Sequence, residues 1–260
     1  MTHSTSSNCS RQVPQVEIQI FGPVRVVGSA RPLARAYALD LVTYLALHRD
    51  GVTTDQWVTA LWPDREMASA TIHSTSSAAR RALGSTPDRR DHLPNGHKRL
   101  KLGPSVGCDL DRIANLLDAP LHEQRAGLAH FRGQPFSGLR RFDWVVAEGH
   151  ATRAGDVASA LATAVAQALI NADQPTQAIS ALRRGICVNP YDESLWRLLL
   201  QATWATGNAV GLEPILTELA VILGASSSTR CGVSLDDAAT LVHPATWEFY
   251  CSLRSVGALR

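Results

Sequence analysis

The chain has 260 residues, of which 45% are hydrophobic and 18% charged. This is globular composition: it excludes a fibrous or wholly disordered chain, and at about 100–200 residues per domain the length predicts two domains. The net charge of +2 is unevenly spread, because residues 1–105 carry 13 basic and 8 acidic side chains (+5), whereas residues 106–260 carry 12 and 15 (−3). A basic front half suits a module that faces a polyanion.

Residues 1–15 are polar and Ser-rich without an apolar core, so they read as a disordered tail and not as a secretory signal. From Val16 the sequence alternates. Val16, Ile18 and Ile20 fall on one face and Glu17 and Gln19 on the other, up to Phe21-Gly22-Pro23; Val24 and Val26 then alternate around Arg25. Two short antiparallel strands are predicted. Ala38, Leu41, Val42, Leu45 and Ala46 follow with helical spacing, and Arg49-Asp50-Gly51 closes that helix. Thr53 and Gln56 have the spacing of a capping box, ahead of Trp57 and Leu61 and a stop at Pro63. A third helix, about 68–83, ends at Gly84 and presents two faces. Ile72, Ala79 and Leu83 share one, and Ala70, Ser74, Ser77 and Arg81 the other, with His73 and Arg80 at the flanks.

Residues 92–102 read as a hairpin around Asn95-Gly96, in which Leu100 and Leu102 point one way and His97, Arg99 and Lys101 the other. Two strands, three helices and a basic hairpin give a winged helix-turn-helix over 16–104. Beyond Gly103-Pro104 the pattern is helical. In Ala160–Pro190 and Leu195–Leu223 an apolar helix meets a polar break, at Asp173 and Asn208, before a second amphipathic helix. That spacing is close to the ~34-residue period of tetratricopeptide pairs. The fold class expected is therefore an α+β N-terminal winged helix-turn-helix followed by an all-α tetratricopeptide-like helical repeat domain at 105–224. Residues 225–260 supply a linker and a C-terminal helix.

No enzyme is expected. GxxxxGK[ST], GxSxG and HExxH are all absent, and His122-Glu123 lacks the second histidine of the last motif. Asp109 and Asp111 read as the acidic start of a helix. Cys9, Cys108, Cys187, Cys231 and Cys251 have no CxxC spacing and read as reduced thiols of a cytoplasmic protein. Neither a metal nor another cofactor is called for, and Ala158–Ile170, broken by Thr163 and Gln167, is too short to span a membrane.

The third helix carries the candidate function. Its small polar face lets the backbone approach a major groove, where His73, Ser74 and Ser77 meet base edges or phosphates and Arg80 and Arg81 reach phosphate or guanine. His97, Arg99 and Lys101 form the wing that touches the neighbouring backbone or minor groove. His92 flanks that hairpin as a phosphate-contacting or solvated side chain.

Ile20-Phe21-Gly22-Pro23-Val24-Arg25-Val26, Leu41–His48, Ala60-Leu61-Trp62-Pro63-Asp64 and Ala79-Arg80-Arg81-Ala82-Leu83-Gly84 together resemble the SARP (antibiotic regulatory protein) type of bacterial transcriptional regulator. Asp109-Leu110, Phe131-Arg132-Gly133-Gln134-Pro135-Phe136, Trp144 with Glu148, and Asn189-Pro190-Tyr191-Asp192-Glu193 resemble its bacterial transcriptional activator domain (BTAD). The resemblance implies an OmpR-like winged helix on repeats in double-stranded promoter DNA, with a helical domain that serves homodimerisation and RNA polymerase recruitment. The chain departs from the family pattern at Ala78 and Ala79, where Arg and Leu are usual, and at Lys98, where an aromatic is usual. Those departures motivate an alternative, a protein-interaction module whose winged helix no longer binds DNA specifically.

Overall fold

The computed structural model describes residues 15–96, 98–225 and 233–257, which group into two compact units. The first contains the described residues up to 18 together with 25–108 and 139–141. Strand β1 (Val16–Gln19) is central in a three-stranded sheet, between β2 (Arg25–Val27) and β3 (Val106–Cys108). β3 runs parallel to β1, pairing Val106 with Val16 and Cys108 with Ile18. This third strand is not anticipated by the sequence pattern, because three residues are too few to display an alternation.

Helix α1 (Ala36–Leu47) packs against α2 (Thr54–Leu61), α3 (Ser69–Leu83) and β3. The stripe of Ala38, Leu41, Val42, Leu45 and Ala46 is buried throughout. α2 begins with the expected capping box: the Gln56 amide donates to the Thr53 hydroxyl at 3.3 Å and the Thr53 amide to the Gln56 carbonyl oxygen at 2.8 Å. Trp57 and Leu61 are buried, and Trp62 lies between Tyr37 and Trp57 in tilted ring contacts, with centroids 4.7 and 5.8 Å away. On α1, Asp40 is buried and accepts the backbone N–H of Arg140 at 3.3 Å. Burial raises its pKa to about 6, against the opposing pull of the Arg140 and Arg141 amides and the Arg140 charge.

The second unit contains residues 19–24 with the described part of 109–138 and 142–260. Residues 19–24 form a strap. The Ile20 amide donates to Oδ1 of Asp109 at 2.8 Å, the Phe136 amide to the Ile20 carbonyl at 2.8 Å and the Arg132 amide to the Phe21 carbonyl at 2.9 Å. The Phe21 and Phe131 rings lie 5.2 Å apart. Gly22 is required here, since its φ is 129° and a Cβ would stand 2.9 Å from that of Arg132.

After α4 (Asp109–Asn115), α5 (Leu121–Gly127), a 3-10 turn at Leu128–His130 and α6 (Asp143–Ala147), the long helix α7 (His150–Asn171) packs on α8 (Pro175–Val188). Helix α9 (Glu193–Ala205) packs on α8 and on α10 (Leu212–Ile222). The breaks between the paired helices carry left-handed residues, Asp173 (φ 55°) in the first and Gly207 (φ 78°) in the second. Gly185 lets α8 approach α7 so closely that an added Cβ would lie 2.5 Å from that of Ala162. The sequence after 225 contributes α11 (Leu235–Leu241) and α12 (Pro244–Gly257), which pack on α10 and α9 respectively. Glu193 accepts the His243 amide at 3.0 Å and Arg197 donates to the Thr246 hydroxyl at 2.9 Å. Among the described residues, no helix is long and apolar enough to cross a membrane.

Candidate nucleic-acid interface

Helix α3 is built from small residues, and its packing stripe is correspondingly shallow. Thr75, Ala79, Ala82 and Leu83 are buried and Ile72 is half-buried. Its hydroxyls fold back on the helix: Ser74 and Thr75 donate to the Thr71 carbonyl at 3.1 and 2.9 Å, and Ser76 to the His73 carbonyl at 3.1 Å. His73 is left exposed.

Facing α3 is the segment after His92. It is a closed loop and not the two-stranded hairpin expected from Asn95-Gly96. Gly103 N donates to the His92 carbonyl at 2.8 Å, and Leu100 exchanges hydrogen bonds of 2.9 and 2.7 Å with Val52. Pro94 has no N–H to give to a ladder with its own hairpin partner, and Leu100 pairs with Val52, two residues before α2, instead. The inward and outward sorting still follows the sequence, with Leu102 buried and Arg99 and Lys101 exposed. His92 is neither a phosphate contact nor solvated. It is buried, its Nδ1 lies 2.8 Å from the Ser105 hydroxyl, and burial lowers its pKa.

Between α3 and this loop lies an open cleft of about 640 Å³. Ser69, Ile72, His73, Ser76, Ser77 and Arg80 form one wall, Asn95, Gly96 and Lys98–Leu100 the other, and Thr54 and Trp57 the end. It therefore gathers His73, Ser77, Arg80 and Arg99 of the expected set. Two of the arginines are positioned by backbone carbonyls. Arg80 Nε donates to Leu93 at 2.9 Å, and Arg99 donates from Nε and a terminal nitrogen to Gly51 at 3.1 and 2.6 Å. Arg80, Lys98 and Arg99 line the cleft without any carboxylate among the described residues, so its field favours an anion.

Ser74 and Arg81 fall on the other side of α3. Ser74 accepts a hydrogen bond from Arg35 at 3.0 Å, and Arg81 donates to the Ser77 carbonyl at 3.3 Å. Lys101 is exposed beside Gly51, outside the cleft. His97 lies outside the described residues. Trp57, Lys98 and Arg35 are contributions the sequence does not single out. Lys98 is on the Leu100 side of the alternation, and Arg35 stands 39 residues before its partner.

The family model of the bacterial transcriptional activator domain matches residues 114–210, the stretch that runs from α4 through α9. MoaR1, a transcriptional regulatory protein of Mycobacterium bovis, is 28% identical over 206 residues, covering 71% of this chain and 65% of the relative. The chain is similar to SARP-type regulators that carry this activator domain. A second relative is the transcriptional regulatory protein EmbR of Mycobacterium tuberculosis, 30% identical over 209 residues. The match covers 72% of the chain and 53% of EmbR, so the chain spans about half to two thirds of these relatives' length. A solved structure of EmbR in complex with a low-affinity phosphopeptide superposes with a TM-score of 0.60 over 95% of this chain and 71% of that one. At 22% identity that likeness concerns the fold: a small N-terminal sheet followed by many helices.

Proposed function

We propose that this chain is a SARP-type transcriptional activator that binds double-stranded promoter DNA through a winged helix-turn-helix at 16–104. α3 is its recognition helix and the loop after His92 its wing. The observation that carries this is the cleft in which His73, Ser77 and Arg80 of α3 face Lys98 and Arg99 of the loop, with no carboxylate in its lining among the described residues. Small residues let α3 enter a major groove, and the Arg80 guanidinium, held at Nε alone, keeps its terminal nitrogens for phosphate or guanine. The second unit, with its two consecutive helix pairs, acts as a tetratricopeptide-like domain at 105–224 for homodimerisation and RNA polymerase contact. The relatives' designation as transcriptional regulatory proteins supports the same assignment. On this reading the protein works in the cytoplasm, without catalysis or cofactor.

The test is selection of bound sequences from a random duplex library, followed by gel-shift titration of the winners. A recovered motif bound at least about a thousandfold more tightly than random duplex supports sequence-specific regulation. A folded protein that enriches no sequence refutes it.

A further inference from the structure

The side of α3 opposite the cleft carries a second basic surface. Arg31, Arg35 and Arg81 line an open notch of about 200 Å³, together with Pro32, Ala34 and Ala78. All three arginines are exposed, and no acidic side chain lines the notch among the described residues. Three like charges around one small concavity repel one another, and an anion seated there relieves that repulsion.

The notch and the cleft share a wall. Ala78, Arg81 and Ala82 of α3 bound the notch, while Ser76, Ser77 and Arg80 of the same helix bound the cleft. The Arg35 guanidinium, on the residue before α1, crosses to α3 and donates to Ser74 at 3.0 Å. A duplex lying along α3 therefore brings its sugar-phosphate edge to Arg31 and Arg35. The lining suits phosphate better than bases. Among the described residues it consists of guanidinium groups and apolar side chains, without the Asn or Gln that reads adenine.

We propose that Arg31, Arg35 and Arg81 form a backbone-phosphate anchor that holds DNA independently of sequence, beside the cleft that reads it. This rests on the DNA-binding function proposed above. The anchor fixes register on the duplex and adds affinity for every sequence alike.

The experiment measures binding of the full chain to a mixed-sequence duplex of about 30 bp, by fluorescence anisotropy from about 50 to 200 mM salt. Each phosphate contact contributes about 0.9 to the slope of log affinity against log salt, so Arg31→Ala with Arg35→Ala is expected to reduce that slope by about 1.8. Affinity at low salt falls at least about tenfold, because each contact is a charge-assisted hydrogen bond. Arg35→Lys, which keeps the charge, restores most of the slope to Arg31-intact protein. Arg90→Ala serves as a control, since Arg90 is paired with Asp88 at 2.8 Å and lines neither surface. If the wild type binds and the double variant, folded by circular dichroism, keeps the full slope, the anchor is refuted while the proposed function stands. If the folded wild type binds no duplex at any salt, both fall.

Discussion

Arg99 grips the carbonyl of Gly51 with two nitrogens, at 3.1 and 2.6 Å, and so ties the basic loop to the turn that precedes α2. Its guanidinium has a structural task before it meets any ligand. Arg99→Ala is therefore expected to lower the unfolding free energy by about 1–2 kcal/mol as well as weakening DNA binding. Chemical denaturation alongside gel-shift titration checks both. A variant that loses DNA affinity at unchanged stability would show that the clip to Gly51 is dispensable.

Arg80 is held by Nε on the Leu93 carbonyl, which leaves its terminal nitrogens as a fork at the cleft. Arg80→Ala is expected to reduce discrimination between the selected sequence and its point variants at one position, by about 1–3 kcal/mol. Competition gel shifts with singly substituted duplexes measure this. Equal losses on every duplex would reassign Arg80 to the backbone.

Asp40 predicts a pH dependence of stability. Its carboxyl is raised from 3.8 to about 6, chiefly by burial, so the folded state binds a proton that the unfolded chain has already released. The stabilisation is full below pH 4 and is lost as pH rises through 6, amounting to about 3 kcal/mol for a shift of this size. Asp40→Asn, which keeps the acceptor for the Arg140 amide, should flatten the melting temperature between pH 4 and 7 relative to wild type. Parallel pH profiles of the two would count against this origin.

Gly185 predicts the closeness of α7 and α8. A methyl group added there meets the Cβ of Ala162 at 2.5 Å between two helical backbones, so Gly185→Ala should destabilise the second unit by about 1–3 kcal/mol despite the better helix propensity of alanine. Thermal unfolding checks the sign. Ala162→Gly in the same chain should recover part of the loss.

α1, α2 and the paired helices α7–α10 are legible in the sequence because they carry their own signals: the α1 stripe, the Thr53–Gln56 box and the polar breaks at Asp173 and Asn208. Burial then obeys the period. The site was legible in composition but not in arrangement. A helical wheel groups Ser74, Ser77 and Arg81 on one face, yet the loop after His92 covers one flank of that face and the segment before α1 the other, so Ser77 opens to the cleft and Ser74 meets Arg35. Such neighbours come from distant positions and leave no local pattern. The same holds for Arg99 on Gly51, 48 residues away, and for β3, which exists because β1 offers it an edge.

The strap at 19–24 bears on how this protein is made. Its partners lie far downstream: Asp109 is 89 residues after Ile20, and Arg132 donates to the carbonyl of Pro23 across 109. Ile20 and Phe21, wholly buried in the finished molecule, therefore leave the ribosome long before the residues that will cover them. A fragment cut after residue 104 would keep those two side chains bare and the Ile20 amide without its carboxylate. What the chain order presents as the opening of the first domain is, in three dimensions, the last piece of the second.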